Sequence, residues 1–327
     1  MFSQDVSESP VRFMFYNVEN LFDIYDDSLR EDNDFLPGGV LRWNSTRYSK
    51  KINSLYKTIS AAGGWNPPVV VAFCEVENKK VLEDLVFNTY LSKYHYKIIH
   101  EDSPDLRGID VCMILREDCA SLIKYEYWIP TKGRTGPFTS RSVLYSKIAI
   151  GSDTLHIIMN HWPSRRGGVL AGEGLRMTIA QMVRSKIDSI SKSNSEKQKI
   201  IISGDFNCTP DDIEVNLLTN QNYSDNPLIN LSEMVSLKGT GTYRFKGTWE
   251  MIDQVLVSAE LINCKDGLFT NSEMLEVFKP DFLLIKDKNY PGYSPFSTFR
   301  GYKYQGGYSD HLPVLLDLHI SRDHLQK

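Results

Sequence analysis

The stretch Ile200-Ile-Ile-Ser-Gly-Asp-Phe-Asn207 decides the reading of this chain, together with Ser309-Asp-His-Leu-Pro313 near its end. The isoleucines are β-branched and apolar, so they read as a strand, and that strand delivers Asp205 and Asn207 to its tip. Asp310 and His311 stand just before another strand-like run, Val314-Leu-Leu. Each string therefore places an Asp beside a second polar group at a strand end. Carboxylates and an imidazole so placed are what metal-assisted attack on a phosphate ester requires.

Outward from these strings, the driest strand candidates are residues 11–16, 69–74, 111–115, 144–150, 155–159, 199–202, 254–257 and 314–318. Helical spacing of apolar residues marks 47–62, which ends at Gly63-Gly64, and also 81–91 and 175–190. Thr209-Pro-Asp-Asp has the form of a helix start, with a capping hydroxyl and Pro at the first helical position. Strands outnumber helices, and between residues 141 and 160 they follow one another directly. A regular βαβ alternation does not fit that order; mixed sheets flanked by helices do. Residues 189–199 are Ser/Lys-rich and read as a solvated helix end and loop. Residues 292–308 are rich in Gly, Tyr and Ser and read as a plain loop leading into the terminal string, with shaping of substrate access as the alternative for a long loop beside an active site. No repeat or long linker divides the chain, so residues 11–320 are expected to form one domain, with tails at 1–10 and 321–327.

At 327 residues, 41% hydrophobic and 24% charged, the composition is that of a soluble globular protein. No apolar run approaches the about 20 residues that span a bilayer, so no membrane span is expected. The net charge of −4 and pI near 6.0 argue against a positive coat for non-specific nucleic-acid binding without removing a nucleic-acid substrate. An anionic substrate must then be attracted locally, by a bound metal and a few arginines. The five cysteines (Cys74, Cys112, Cys119, Cys208, Cys264) form no metal-like spacing and read as reduced structural thiols. Met1-Phe-Ser-Gln-Asp carries neither a basic start nor an apolar segment, which as it stands suits the cytoplasm; a trimmed leader would instead mean export. The chain is expected to act as a monomer.

The remaining strand ends repeat the pattern. The strand at 11–16 ends at Asn17, in Tyr16-Asn-Val-Glu-Asn20, and the one at 69–74 ends at Glu75, in Cys74-Glu-Val-Glu-Asn78. The strand at 155–159 ends at Asn160-His161. Singly, a strand-end Asn or Asp is usually a turn former, and a lone His is usually structural. Turn chemistry does not account for these residue types on so many strands in this order, nor for two histidines at separate strand tips.

The ordered set Asn17, Glu75, Asn160-His161, Gly204-Asp-Phe-Asn207 and Ser309-Asp-His311 resembles the endonuclease/exonuclease/phosphatase superfamily, whose best-known member is deoxyribonuclease I. The resemblance spans residues 17–313. It implies a four-layer α/β sandwich, two mixed β-sheets packed face to face with helices outside, and an active site at one edge. It also implies roles. Glu75 would bind the metal with Asn17 and Asp310 assisting, and such oxygen ligands suit Mg²⁺ or Mn²⁺, with Ca²⁺ as a further option. Asp205 would deprotonate the attacking water, Asn207 would hold that water or a phosphate oxygen, and His311 would donate to the phosphate as charge builds. Asp253, in Met251-Ile-Asp-Gln-Val-Leu, would fix the His311 ring. His161 would be the second active-site imidazole, with Asp110 as candidate for its carboxylate partner and a salt-bridged strand-end acid as the alternative.

The segment Asn160-His-Trp-Pro-Ser-Arg-Arg-Gly-Gly168 is similar to a bacterial, nuclease-like branch of the superfamily. Asn160 is a candidate substrate contact there. Arg165 and Arg166, on a Gly-bounded loop beside His161, are candidates for an anion fork. Arg107 and Arg141 are further phosphate-contact candidates, with solvated surface as their alternative. Trp162 is either a base-stacking platform or core. The chain lacks the Trp-x-Gly-Asp-x-Asn-Tyr-Arg string of inositol phosphatases, the His-x-Gln of sphingomyelinases and the Tyr-x-x-Asn of abasic-site endonucleases. A metal-dependent phosphodiesterase, first of all a nuclease on DNA or RNA, is the expectation. A phosphatase or phosphodiesterase on a small or lipid-derived ester is the alternative, which the acidic pI favours. A silent binding protein on the same fold is the third option, which the intact polar set disfavours.

Overall fold

A computed structural model describes residues 10–131, 140–165, 172–192, 197–220, 227–264 and 267–321. The first half contains β1 (Val11–Leu21), α1 (Ser45–Gly63), β2 (Val70–Val76), α2 (Lys79–Phe87), β3 (Tyr96–Ile99), β4 (Asp110–Arg116), β5 (Ser121–Trp128), β6 (Val143–Ile150) and β7 (Asp153–His161). It continues with α3 (Glu173–Lys192), β8 (Lys199–Asp205), α4 (Ile213–Thr219), β9 (Leu228–Asn230) and α5 (Leu231–Leu237). The hairpin β10 (Tyr243–Phe245) and β11 (Thr248–Glu250) precedes β12 (Asp253–Ser258), α6 (Ala259–Asn263), β13 (Gly267–Phe269) and β14 (Leu275–Val277). Two small hairpins, β15 (Leu284–Lys286) with β16 (Tyr293–Pro295) and β17 (Phe299–Arg300) with β18 (Lys303–Tyr304), lead to β19 (Val314–Ser321).

The first sheet has the order β13-β19-β1-β2-β4-β3, with β14 beside β19, and only β1 and β2 run parallel. The second has the order β5-β6-β7-β8-β12-β9, and only β7 and β8 run parallel. Successive side chains alternate between faces. Phe13, Phe15, Ala72 and Met113 of one sheet meet Ile148, Ile157 and Ile201 of the other in the central core. The intervening Met14, Tyr16, Phe73 and Ile114 pack under α1 and α2, while Ile158, Ile200 and Ile202 pack under α3 and α4. The result is four layers, helix–sheet–sheet–helix. Both faces of the central strands are covered, which is why they read as continuous apolar runs.

All eight strands expected from sequence are present, as β1, β2, β4, β6, β7, β8, β12 and β19. Two helix expectations need correction. The helix after Thr209 starts at Ile213, because the Asp212 carboxylate turns back to accept the Thr209 N–H and hydroxyl at 2.6 and 2.9 Å. The helix expected over 81–91 stops at Phe87, and Thr89 caps a separate 3-10 turn over Tyr90–Tyr94. Residues 292–308 are likewise not a plain loop, since β16, β17 and β18 fall within them.

Topology places the polar tips together. The parallel pairs β1/β2 and β7/β8 run out toward Asn17, Glu75, His161 and Asp205. Strand β12 opens with Asp253 directly opposite Asp205, and β19 begins just after His311.

Candidate active site

Asp205 is the centre. It is buried at the end of β8, where its Oδ2 accepts from Asn17 Nδ2 at 3.0 Å and its Oδ1 accepts the Asn207 N–H at 2.8 Å. Gly204 precedes it with φ of +153°, and a Cβ there would lie 2.1 Å from the Asn160 carbonyl oxygen, so glycine is required where β7 and β8 approach. Burial pushes the Asp205 carboxyl up to about 7; the charges of Asp253 and Glu75 add to this, and His311 and the Asn207 N–H oppose it. A carboxylate balanced near neutrality suits proton transfer at neutral pH. Asn207 sits in the left-handed region (φ 49°) and donates through Nδ2 to the Trp162 carbonyl at 3.0 Å.

His311 Nδ1 meets Asp253 Oδ2 at 2.7 Å, and its Nε2 lies 3.9 Å from Asp205 Oδ2. Burial alone lowers the imidazole, but the charge and hydrogen bond of Asp253, with Asp310 and Asp205, hold it well above the usual histidine value. Ser309 braces this string: its hydroxyl donates to the Asn17 carbonyl at 2.7 Å and accepts the His311 N–H at 3.1 Å. His161 faces the same carboxylate, with Nε2 3.7 Å from Asp205 Oδ2 and 3.8 Å from Glu75 Oε1. Its Nδ1 is buried, and among the described residues it has no hydrogen-bond partner. Burial lowers its pKa well below the usual value, and Arg141, Arg107 and His311 push the same way.

Asp110 is therefore not the partner of His161. It lies 3.3 Å from His100 Nε2 and accepts the Ser103 N–H at 2.9 Å, so it serves the loop before β4. Asn160 is not on the substrate side either. It is wholly buried, its Oδ1 accepts from Trp162 Nε1 at 3.1 Å, and its amide faces the carbonyls of Ile158 and Ser203. Trp162 is core, packed edge-on to Phe206 with ring centroids 4.7 Å apart.

Glu75 stands at φ 65°, where β2 bulges against β4, and its Oε2 accepts the Asn20 N–H at 3.0 Å. Glu19 and Asn20 are also left-handed (φ 49° and 56°), and strain of this kind collects at working sites. The same turn engages Asn17, whose Oδ1 accepts the Glu19 N–H at 3.0 Å while its amide serves Asp205. Asn17 is thus turned toward Asp205, and Glu75 and Asp310 present their carboxylates to the cleft. Burial raises the Asp310 carboxyl and the charge of Glu75 adds to it, against His311 and Lys51. A hard divalent cation between Glu75 and Asp310 would relieve the repulsion that Glu75 exerts on Asp310, so the two carboxylates fit such an ion. The carboxylate and imidazole atoms of Asp205, Asp253 and His311 also lie within 4.8 Å of one another.

The arginines are held by acids absent from the sequence expectations. Asp105 lies 3.3 Å from Arg141 Nε and 3.9 Å from Arg107 Nε. Asp212 pairs with Arg165. Arg107, Arg141 and Arg165 all line the cleft, whose volume is about 540 Å³. Arg166 falls outside the described residues.

Other residues of the site were not singled out from sequence. Asn20, Tyr243, Phe245, Glu250 and Ile252 line the cleft. Buried Lys51 of α1 donates to Thr298 Oγ1 at 2.5 Å and to the Tyr308 carbonyl at 2.6 Å, while Glu19 accepts the Thr298 and Phe299 N–H groups at 2.5 and 2.9 Å. These bonds lace the 298–308 segment to the β1 tip. A signal for the β10–β11 hairpin was present in Phe245-Lys-Gly-Thr248: Lys246 and Gly247, with φ of 47° and 87°, make a two-residue turn between paired Phe245 and Thr248.

A four-layer sandwich with these groups at one edge is the deoxyribonuclease I-like architecture. The chain belongs to the endonuclease/exonuclease/phosphatase family, whose model matches residues 12–320. Among solved structures it is similar to the Bacteroides thetaiotaomicron mannosyl-6-phosphatase Bt3783 (TM-score 0.60, 13% identity, 94% of this chain and 99% of that one). It is also similar to the human Nocturnin catalytic domain with bound sulfate (TM-score 0.57, 15% identity, 97% of each chain). Humanized D. rerio TDP2 matches with a TM-score of 0.57 at 13% identity, over 95% of this chain and 100% of that one. At these identities the likeness is one of fold. No curated protein matches the chain by sequence. Among the described residues no helix is long and apolar enough to cross a membrane.

Proposed function

We propose that this protein is a metal-dependent phosphoester hydrolase that acts first of all on the phosphodiester bonds of nucleic acid. The observation that carries the hydrolytic reading is Asp205, held near neutrality between two imidazoles in one cleft. Asp205 takes a proton from the attacking water, which Asn207 helps to hold in line with the phosphorus. As the new P–O bond forms, the ester P–O bond opposite breaks and the alcohol oxygen leaves, taking its proton from solvent. His311, kept charged by Asp253, donates through Nε2 to a phosphate oxygen as charge develops. Glu75 and Asp310 would hold a divalent ion, which when bound supplies positive charge to the phosphate oxygens. Neutral His161 orders the cleft wall without repelling that ion. Arg107, Arg141 and Arg165 line the cleft from three separate segments; Asp105 and Asp212 offset part of their charge, and the spread of the three guanidiniums supports a substrate with several phosphates.

A second reading, a small phosphate ester as substrate, is favoured by the cleft volume of about 540 Å³, a size usual for small-molecule sites, and by the net charge of −4. Plasmid DNA, single-stranded RNA and bis-p-nitrophenyl phosphate, each with Mg²⁺ or Mn²⁺, separate the two. Chelator-sensitive cleavage of a polymer is expected. Cleavage confined to the small ester moves the assignment to the second reading, and none on any substrate refutes hydrolysis.

A further inference from the structure

The loop that joins β3 to β4 gathers a second set of ionisable side chains, which the hydrolytic chemistry does not use. His100 follows the last residue of β3, Asp110 opens β4, and Asp102 stands between them. Each offers one ligand atom, and the three atoms lie within 4.8 Å of one another. The side chains of His100 and Asp110 are 3% and 2% exposed, whereas that of Asp102 is 69% exposed. Protein thus closes the set on one side, and solvent reaches it at Asp102.

The buried pair is placed as two ligands are placed, not as donor and acceptor. His100 Nε2 lies 3.3 Å from Asp110 Oδ2, yet among the described residues this buried nitrogen has no hydrogen-bond partner. The oxygen therefore stands off the axis along which the ring nitrogen bonds. In a tetrahedral zinc site that axis points at the ion, and the next ligand sits to its side. With bonds of about 2.0–2.1 Å, neighbouring nitrogen and oxygen ligands then fall about 3.3 Å apart. Asp110 is also braced as a ligand: its Oδ1 accepts the Ser103 N–H at 2.9 Å, which holds Oδ2 toward the ring. Asp102 Oδ1 lies 4.0 Å from Nδ1 of the same imidazole.

We propose that His100, Asp102 and Asp110 hold a zinc ion, with water in the fourth position. One imidazole and two carboxylates suit zinc, while the oxygen-only pair Glu75 and Asp310 suits a harder ion. The two sites thus select different metals. The zinc does not touch substrate; it fixes the loop over residues 100–108. There Ser103 Oγ accepts the Asp105 N–H at 3.4 Å, and Asp105 in turn holds Arg107 and Arg141. The proposal stands whether or not the cleft is hydrolytic.

The test titrates zinc alone into chelator-stripped protein in an excess of Mg²⁺, read by calorimetry and by melting temperature. Wild type should take up a single zinc equivalent and melt higher with it. Asp102→Ala, a change at an exposed side chain, should leave the zinc-free melting temperature unchanged and weaken zinc binding at least about tenfold. His100→Gln should weaken it further and abolish the zinc-dependent rise in melting temperature. Glu75→Gln should bind zinc as wild type does. No uptake by wild type in excess Mg²⁺, or unchanged affinity in either Asp102→Ala or His100→Gln, overturns the proposal. So does loss of zinc in Glu75→Gln, which would place the ion in the cleft. If His100→Gln does not fold, Asp102→Ala decides alone.

Discussion

His311 and His161 flank the same carboxylate, 3.9 and 3.7 Å from Asp205 Oδ2, yet their surroundings drive them to different charge states. His311 has an anionic partner at 2.7 Å on its far nitrogen, in Asp253. Among the described residues His161 has none on its own far nitrogen; it is buried, with the charges of Arg141 and Arg107 acting on it. Burial works against the charged form of both rings, and only His311 has the acid that overcomes it. Distance to the central carboxylate does not set the role of an imidazole here; the partner behind the ring does.

Asp205→Asn breaks the centre of that comparison and should have the largest effect. Turnover is expected to fall by about 10²- to 10⁴-fold, with melting temperature and metal binding retained. Near-wild-type turnover would remove Asp205 from its role as base.

His311→Ala should cost about 10²-fold in turnover and should also lower the melting temperature, most at acid to neutral pH where the charged ring partners Asp253. Asp253→Asn leaves the ring but withdraws the charge that raises it, so the loss should be partial. Because the folded value of His311 is raised, its stabilising contribution is full below the unfolded value of about 6.5 and is lost as pH rises through the folded value. The melting-temperature gap between wild type and Asp253→Asn should thus be wider at about pH 6 than in alkali. For His161, whose folded value is lowered, the sign reverses: stability is present above the unfolded value and lost as pH falls through the folded one. A gap that widens with rising pH would contradict the assignment of His311.

Glu75→Gln tests whether the neutral ring of His161 sits beside a cation site. Calorimetry should show divalent affinity reduced by at least about tenfold; unchanged affinity would make Glu75 structural. Lys51→Met is the mildest probe. It removes the donor to Thr298 and Tyr308, just before the Ser309-Asp-His311 string. A stability loss of about 1–3 kcal/mol is expected, with turnover reduced only a few-fold. A larger loss of turnover than of stability would mean that Lys51 acts on Asp310 beyond holding the chain.

The sheets were legible because their central strands are covered on both faces and so written in continuous Val, Ile and Leu. The polar tips were legible because each ends such a run. What escaped was fixed by partners distant in sequence. Nothing in Arg107-Gly-Ile-Asp110 says that Asp110 turns to His100 while Asp105 takes both arginines. Asn160 looks like its neighbour His161 in the string, but strand alternation sends it under Trp162. Lys51 reads as one more helix lysine until Tyr308 is folded over it. The start of α4 was misplaced because Asp212 closes a local turn instead of capping the helix.

Asp205 is proposed to work between one charged and one neutral imidazole. Nitrogen NMR of ¹⁵N-histidine-labelled protein, with His311→Gln and His161→Gln for assignment, measures this directly. At about pH 7 the His311 ring should carry protons on both nitrogens and the His161 ring on one, and in Asp253→Asn His311 should join His161 as neutral. Two rings titrating together near the ordinary histidine value, or a charged His161 beside a neutral His311, would overturn this assignment.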